Sequence, residues 1–407
     1  MNFSLQQLIK KREYIFITLS IIVFFTFTVS YALSAIAMVL FIPFFFLDTK
    51  LNIASKVQRI KKDKIALCLV LFILIQCIGY FYSEDKALAL KRVWGMFPLV
   101  FLPAILFSES IPSNDLKKSL NISKYLIVLT FLYYLIIHVF VDGRTISTFV
   151  HDTVKVKLGI SQFYLTFIVL IPILVSSKSI YQRDKMLLNS LLLATSFFIL
   201  LLLGNKTVLL FMLTLIIYGL VLLIKRKKYR SVLFATVFII LGSIMISQSS
   251  IVKNRMTVTV NTLDFDLETI ITKNRFTETK NTLEHRILIN YLAGKEIIKA
   301  LPFGVGTGDY LAVLYNQYYT INFKAGISQK YNNHNQYFTE FLKTGVLGGV
   351  LFIYILFLLL LKINKEQFYY PIFLLLFVVG CFLESYLDRQ HGVIIFAFII
   401  PYFYKLD

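Results

Sequence analysis

The chain has 407 residues, 57% of them hydrophobic and 16% charged, with a formal net charge of +20. Its mean hydropathy of +0.74 and its apolar content stand well above the roughly 45–50% apolar residues of soluble domains, which excludes water as its main solvent. The Lys and Arg residues sit in connectors between apolar runs and build no basic face with interleaved aromatics, which argues against nucleic acid as a partner.

Apolar runs of about 18 residues recur along the chain, the length of a helix crossing about 30 Å of hydrocarbon. They lack the alternation of barrel strands, so helices must satisfy the backbone within lipid. At the N-terminus, Lys10-Lys11-Arg12, an apolar run and Ala35-Ile36-Ala37 imitate a secretory signal peptide. The run from Tyr14 to Leu47 is too long for one signal core of about 7–15 residues and is read as two spans hinged near Ser30.

Twelve spans are expected: 14–29, 31–47, 65–82, 93–107, 123–141, 159–177, 186–203, 206–224, 231–247, 343–361, 369–386 and 391–404. The fourth is interrupted by Pro98 and Pro103. Cys68, Cys77 and Cys381 fall inside spans, read as small core residues, and imply no disulfide framework. The high aromatic content suits spans and interface belts.

Alternating the connectors between two sides puts 22 Lys and Arg on the side of both termini and 7 in the short connectors of the other side. The positive-inside rule then makes both termini cytoplasmic, with the basic run 225–230 as the strongest anchor. The expected fold is thus all-α and polytopic. Residues 1–247 carry spans one to nine, 248–342 form a large extracytoplasmic loop bearing the chemistry, and 343–407 carry spans ten to twelve. So long a loop implies a role, and it shows helical patterning at 283–300 and again from Asn335 into the tenth span.

The stretch from His334 to Gly348 is the most informative. If helical, it puts His334 and Gly345 eleven residues apart on one face, about three turns along, so a histidine stands above a glycine groove that admits a helix or lipid chain. Imidazole can accept a proton from a hydroxyl as a general base, or His334 can simply anchor an interfacial helix. At the last outer connector, Glu384 is the clearest ionisable residue within a span, and Arg389 is either its partner or a phosphate contact. His151 with Asp152 reads as solvated surface, as do Asp264, Asp266 and Glu268, and His285 is left unassigned. Gly304, Gly306 and Gly308 read as a tight turn, since no strand precedes them as a nucleotide loop requires.

His334-Asn335, nine residues, Gly345, two residues and Gly348 match in full a pattern of the O-antigen ligase and polymerase superfamily of bacterial membrane glycosyltransferases, which the chain resembles. Upstream, Glu284-His285-Arg286 and Pro302-x-Gly304-x-Gly306 resemble the family's loop arginine and its Pro-x-x-Gly-x-Gly segment, here one residue tighter. A second family arginine, in the outer turn before the eighth span, is replaced by Lys206, which either neutralises phosphate as a point charge or snorkels to the interface. The resemblance implies transfer of a glycan from undecaprenyl diphosphate to an acceptor hydroxyl, of lipid A core or another glycan, at the periplasmic face of the bacterial inner membrane, with no metal or other cofactor.

On that reading His334 is the base, Arg286 and Lys206 hold the diphosphate with Arg389 as a further contact, Asn335 contacts substrate, and Gly304, Gly306, Gly345 and Gly348 shape the motif. The same parts serve a ligase or a repeat-unit polymerase, and a protein acceptor also fits. A transporter would place more ionisable residues at mid-membrane.

Overall fold

The computed structural model describes residues 11–204, 263–279 and 281–407. Among these every regular element is helical, and six helices are long and apolar enough to cross a membrane, or seven if one bent pair counts as a span. The chain is a polytopic helical membrane protein. The expected spans at 206–224 and 231–247, and Lys206, lie outside the described residues.

The first helix, α1 (Arg12–Phe27), is followed by α2 (Tyr31–Val39) and α3 (Phe41–Phe46), after which the chain bends by 119° into α4 (Lys50–Lys62). Five of the thirteen residues of α4 are Lys or Arg, so it reads as a surface helix and not a span. Asp63 caps α5 (Lys64–Tyr82) by accepting from the Ile65 and Ala66 amides. The fourth expected span begins earlier than its hydropathy suggests. Lys86 to Ser108 forms one crossing of 23 residues, α6 (Lys86–Met96) joined to α7 (Pro98–Ser108), with Pro98 at the first position of α7, where its missing N–H costs nothing.

The bundle continues with α8 (Ser113–Ile136), which runs into a π-helical turn at Ile137–Val141, then α9 (Gln162–Tyr181) and α10 (Met186–Leu203). In α9, 78% of the apolar window is buried, against 33% in α10, which identifies α9 as the central helix.

The described part of the long loop folds into α11 (Leu267–Phe276), α12 (Thr282–Ala300), α13 (Tyr310–Thr320) and α14 (Lys324–Gln329). These helices share their own core of Ile270, Leu288, Leu292, Tyr310, Leu314 and Phe323. The last crossing region contains α15 (Gln336–Leu360), α16 (Tyr369–Gly380) and a terminal stretch of α17 (Gln390–Ile394), a π-helical turn and α18 (Ile400–Leu406). The α16 helix stops six residues short of the expected 386, where Leu383 and Glu384 turn back to donate to the Gly380 carbonyl, so Glu384 lies in a connector and not in a span.

Two sets of contacts hold the ends of the bundle. At one, Arg12 and Lys56 each bond both Asp48 and Glu109 at 2.5–2.7 Å, closing a buried ring of two cations and two anions. At the other, the loop docks onto the turn at 83–85: the Asp309 carboxylate accepts from the Glu84 and Asp85 amides, and the Ser83 hydroxyl accepts from the Gly308 amide.

Candidate active site

The start of α15 is set by Asn335, whose side-chain oxygen accepts from the Phe338 amide at 3.1 Å. Asn335 is buried and serves as the helix cap. His334 therefore stands outside the helix, with φ of +48°, a left-handed conformation uncommon for a residue with a side chain. Gly345 also departs from helical geometry, with φ of +65° and ψ of −150°. The expected common helical face of His334 and Gly345 does not exist, because one residue precedes the helix and the other kinks it.

Both glycine motifs meet at that kink. The Val305 and Gly306 amides donate to the Leu342 and Lys343 carbonyls at 2.8 and 2.9 Å, and the Val346 amide donates to the Pro302 carbonyl at 2.9 Å. The backbone polar groups that the kink frees from α15 are thus satisfied by the loop. A Cβ on Gly304 would strike the Gly345 amide and the Lys343 carbonyl, and one on Gly345 would strike Pro302. A strand of loop backbone, and no lipid chain, fills the expected groove at Gly345, whereas Gly348 sits near Ile75 of α5, a helix neighbour as anticipated. From α6, the Arg92 guanidinium donates to the Thr307 and Gly308 carbonyls and lies 4.2 Å from the Tyr310 ring centre.

Gln336 stitches this region to the connector after α16. Its amide donates to the Cys381 carbonyl, and its side-chain oxygen accepts from the Leu387 amide, both at 2.7 Å. Thr339 bonds Ser385 at 2.9 Å. These bonds carry Glu384 to His334, whose Nδ1 lies 3.2 Å from the Glu384 carboxylate. Arg389, expected either as the partner of Glu384 or as a phosphate contact, is exposed and acts on Glu384 through space.

Arg286 arrives from α12. Asn281 caps that helix, and the buried Glu284 ties it to the preceding segment through the Asp264 amide and the Lys273 ammonium. Two positions on, about 200° round the helix, Arg286 is half-buried and interacts electrostatically with Glu384. Burial pushes its guanidinium below the ordinary value, partly offset by Glu384. Burial raises the Glu384 carboxyl, but the hydrogen bond from His334 and the charges of His334, Arg286 and Arg389 outweigh it and hold the group below the ordinary value.

Among the described residues, Arg286 and Arg389 form no ion pair within bonding distance, and His334 Nε2 has no hydrogen-bond partner. The site therefore presents one carboxylate, one imidazole with a free ring nitrogen, and two uncommitted guanidinium groups. Such a set can take a proton and can hold an anion.

Next to it lies a buried polar network with different satisfaction. Lys343 pairs with Asp388 at 2.6 Å and stands 3.6 Å from Glu340, Asp388 also accepts from Tyr310, and Gln76 donates to Glu340. It joins α5, α13 and α15 to the last connector. Among the described residues no group of three His, Cys, Asp or Glu side chains is placed to hold a metal. Asp266 caps α11, and His151 lies on the surface bonded to Asp152, so both fall outside the site.

The O-antigen ligase family model matches residues 191–353, a stretch containing Arg286, the paired glycine motifs and His334 and ending before Glu384 and Arg389. No curated protein matches the chain.

Proposed function

We propose, from the premise that the domain at residues 191–353 makes the chain a member of the O-antigen ligase superfamily, that it moves a glycan from undecaprenyl diphosphate to a hydroxyl of an acceptor saccharide such as lipid A core. The observation that carries this reading is His334 with Nδ1 held by Glu384 and Nε2 free, beside Arg286 and Arg389. Glu384 keeps the proton of neutral His334 on Nδ1, which leaves the Nε2 lone pair for the acceptor hydroxyl.

In the proposed reaction His334 Nε2 takes the hydroxyl proton as the acceptor oxygen attacks the anomeric carbon. The bond from that carbon to the phosphate oxygen breaks, and the electron pair leaves with the diphosphate. Arg286 and Arg389 hold the growing negative charge in bidentate fashion, with Lys206 as a further cation. Asn335 and the four glycines act by position: Asn335 starts α15 just after the base, and Gly304, Gly306, Gly345 and Gly348 fix the crossing of loop and helix. Transfer needs no metal. This reading places the site on the periplasmic face of a bacterial inner membrane, with both termini cytoplasmic, twelve spans as the topology, and the long loop ending where α15 begins.

The test uses purified protein in liposomes with a lipid-linked glycan donor and an acceptor saccharide. His334→Ala is expected to lower transfer by about 10²–10⁴ without changing the melting temperature. Transfer by the wild type is expected to persist in chelator. Undiminished transfer by His334→Ala overturns the assignment of the base.

A further inference from the structure

A second concavity opens on the loop, a cleft of about 460 Å³ lined by Glu278, Thr279, Thr282, His285, Gln329 and Tyr331. That volume lies within the range of small-ligand sites, roughly 300–1,000 Å³. The cleft is joined to the candidate active site by one ring. Tyr331 lies 5.7 Å from the His285 ring in the cleft and 5.5 Å from the His334 ring, centre to centre, so it touches both the cleft histidine and the base.

The lining has a definite chemical character. Among the described residues no lysine or arginine contributes to it, and it includes one carboxylate, the hydroxyls of Thr279, Thr282 and Tyr331, and an amide. Among the described residues of the lining, no cation offsets the repulsion that Glu278 would exert on a diphosphate, whereas the cations of the active site gather on the Glu384 side of His334. His285 is almost fully buried, and its Nε2 is committed to Thr279 at 2.8 Å while its Nδ1 has no partner. A buried ring nitrogen lacking a partner is costly unless something else supplies the bond. A saccharide matches this lining: its C–H faces pack on an aromatic ring, and its hydroxyls both donate to carboxylate and imidazole and accept from amide and hydroxyl.

We propose that this cleft is the acceptor subsite, in which a non-phosphorylated sugar ring packs on Tyr331 and hydrogen-bonds to Glu278, Gln329 and His285, with its reactive hydroxyl directed past Tyr331 toward His334. The proposal rests on the transferase reading given above. It assigns the two substrates to opposite sides of one imidazole, the anionic donor on the arginine side and the neutral acceptor on the tyrosine side.

The probe is the saccharide pool released by mild acid from the envelope of the organism that makes the protein. Its binding to the full chain in nanodiscs is followed by saturation-transfer NMR. Wild type and His334→Ala are expected to bind the same components of the pool. Tyr331→Ala is expected to weaken that binding at least about tenfold, the loss of a 1.4 kcal/mol contact. Gln329→Trp, which fills the cleft from an exposed position and does not disturb the core, is expected to do the same. In transfer assays both variants should raise the half-saturating acceptor concentration and leave that of the donor unchanged. Binding by Gln329→Trp at wild-type strength, or a pool with no component that binds the wild type, overturns the cleft assignment. If saccharide binds as expected but no lipid-linked glycan is ever transferred, the reading of the reaction fails and the cleft stands. If His334→Ala abolishes transfer while the cleft variants leave acceptor use untouched, the reverse holds.

Discussion

Two charged clusters in this protein differ in how their charges balance. In the first, Arg12, Lys56, Asp48 and Glu109 form a closed ring in which each cation meets both anions. In the second, Glu384 alone faces His334, Arg286 and Arg389. A closed ring has nothing left to offer a ligand. The open cluster leaves two guanidinium groups and a ring nitrogen without partners among the described residues, an arrangement that a structural role does not require and an anionic substrate would complete. The ring also joins segments distant in sequence, the start of α1 at Arg12, the bend at Asp48 with Lys56 of α4, and Glu109 just after α7, so its work is to hold the bundle end together.

If that division is right, the two clusters respond oppositely to the loss of one charge. Glu109→Ala leaves Lys56 and Arg12 sharing Asp48 alone while Lys56 stays buried, and breaking a buried pair in this way costs about 3–5 kcal/mol. The expected outcome is a large fall in the melting temperature of the detergent-solubilised protein, with the transfer rate per folded molecule preserved. Retention of wild-type melting by Glu109→Ala would show that the ring is not what holds that end.

Arg286→Ala is expected to do the reverse. Losing charge-assisted hydrogen bonds to a diphosphate costs about 1.5–3 kcal/mol, or roughly 10- to 150-fold in donor use. Because Arg286 has no ion pair within bonding distance among the described residues and its burial opposes its charge, the melting temperature should not fall. Arg286→Lys keeps the charge but loses the planar fork, so it should recover only part of the activity. A drop in melting temperature with unchanged donor use would move Arg286 to the structural side of the comparison.

Much of this was legible in the sequence, and the residues that were not share a physical cause. Hydropathy located α5, α9 and α10, because burial in lipid leaves a long local trace, and the helical patterning from Asn335 marked the start of α15. The helical patterning at 283–300 found α12 for the same reason. The pattern around His334 drew attention to the imidazole, but periodicity presumes helical backbone, and neither the left-handed φ of His334 nor the kink at Gly345 follows from side-chain spacing. Glu384 was conspicuous as an ionisable group near apolar sequence. Its partner lies 50 residues earlier, and nothing local to either residue encodes the pairing. Arg92 appeared to be one more basic residue of a connector, and its bonds to Thr307 and Gly308 reach more than two hundred residues along the chain. The fourth span was underestimated because Lys86, Lys91 and Arg92 lower the hydropathy of a segment that is nevertheless helical from Lys86.

Acid provides the smallest and most discriminating effect. Burial alone would raise the Asp48 carboxyl, but hydrogen bonds from Lys56, Asn52 and Thr49 and the Arg12 charge bring it down to about 2 from its ordinary value of 3.8. A carboxyl depressed by folding contributes stability that is complete above the unfolded value and lost as pH falls through the folded one. For Asp48 the window is therefore pH 3.8 to about 2, and the contribution at stake is at most about 2 kcal/mol. Glu384 is likewise held below its ordinary 4.5, so it too remains ionised in mild acid. Melting followed from pH 6 to pH 2 should therefore stay level until the Asp48 carboxylate begins to protonate. Asp48→Asn should remove the acid-induced fall in melting temperature that belongs to the ring and leave the transfer rate per folded molecule at neutral pH where it was. If Asp48→Asn lowers that transfer rate as well, the two clusters are one cooperative unit and the division between them fails.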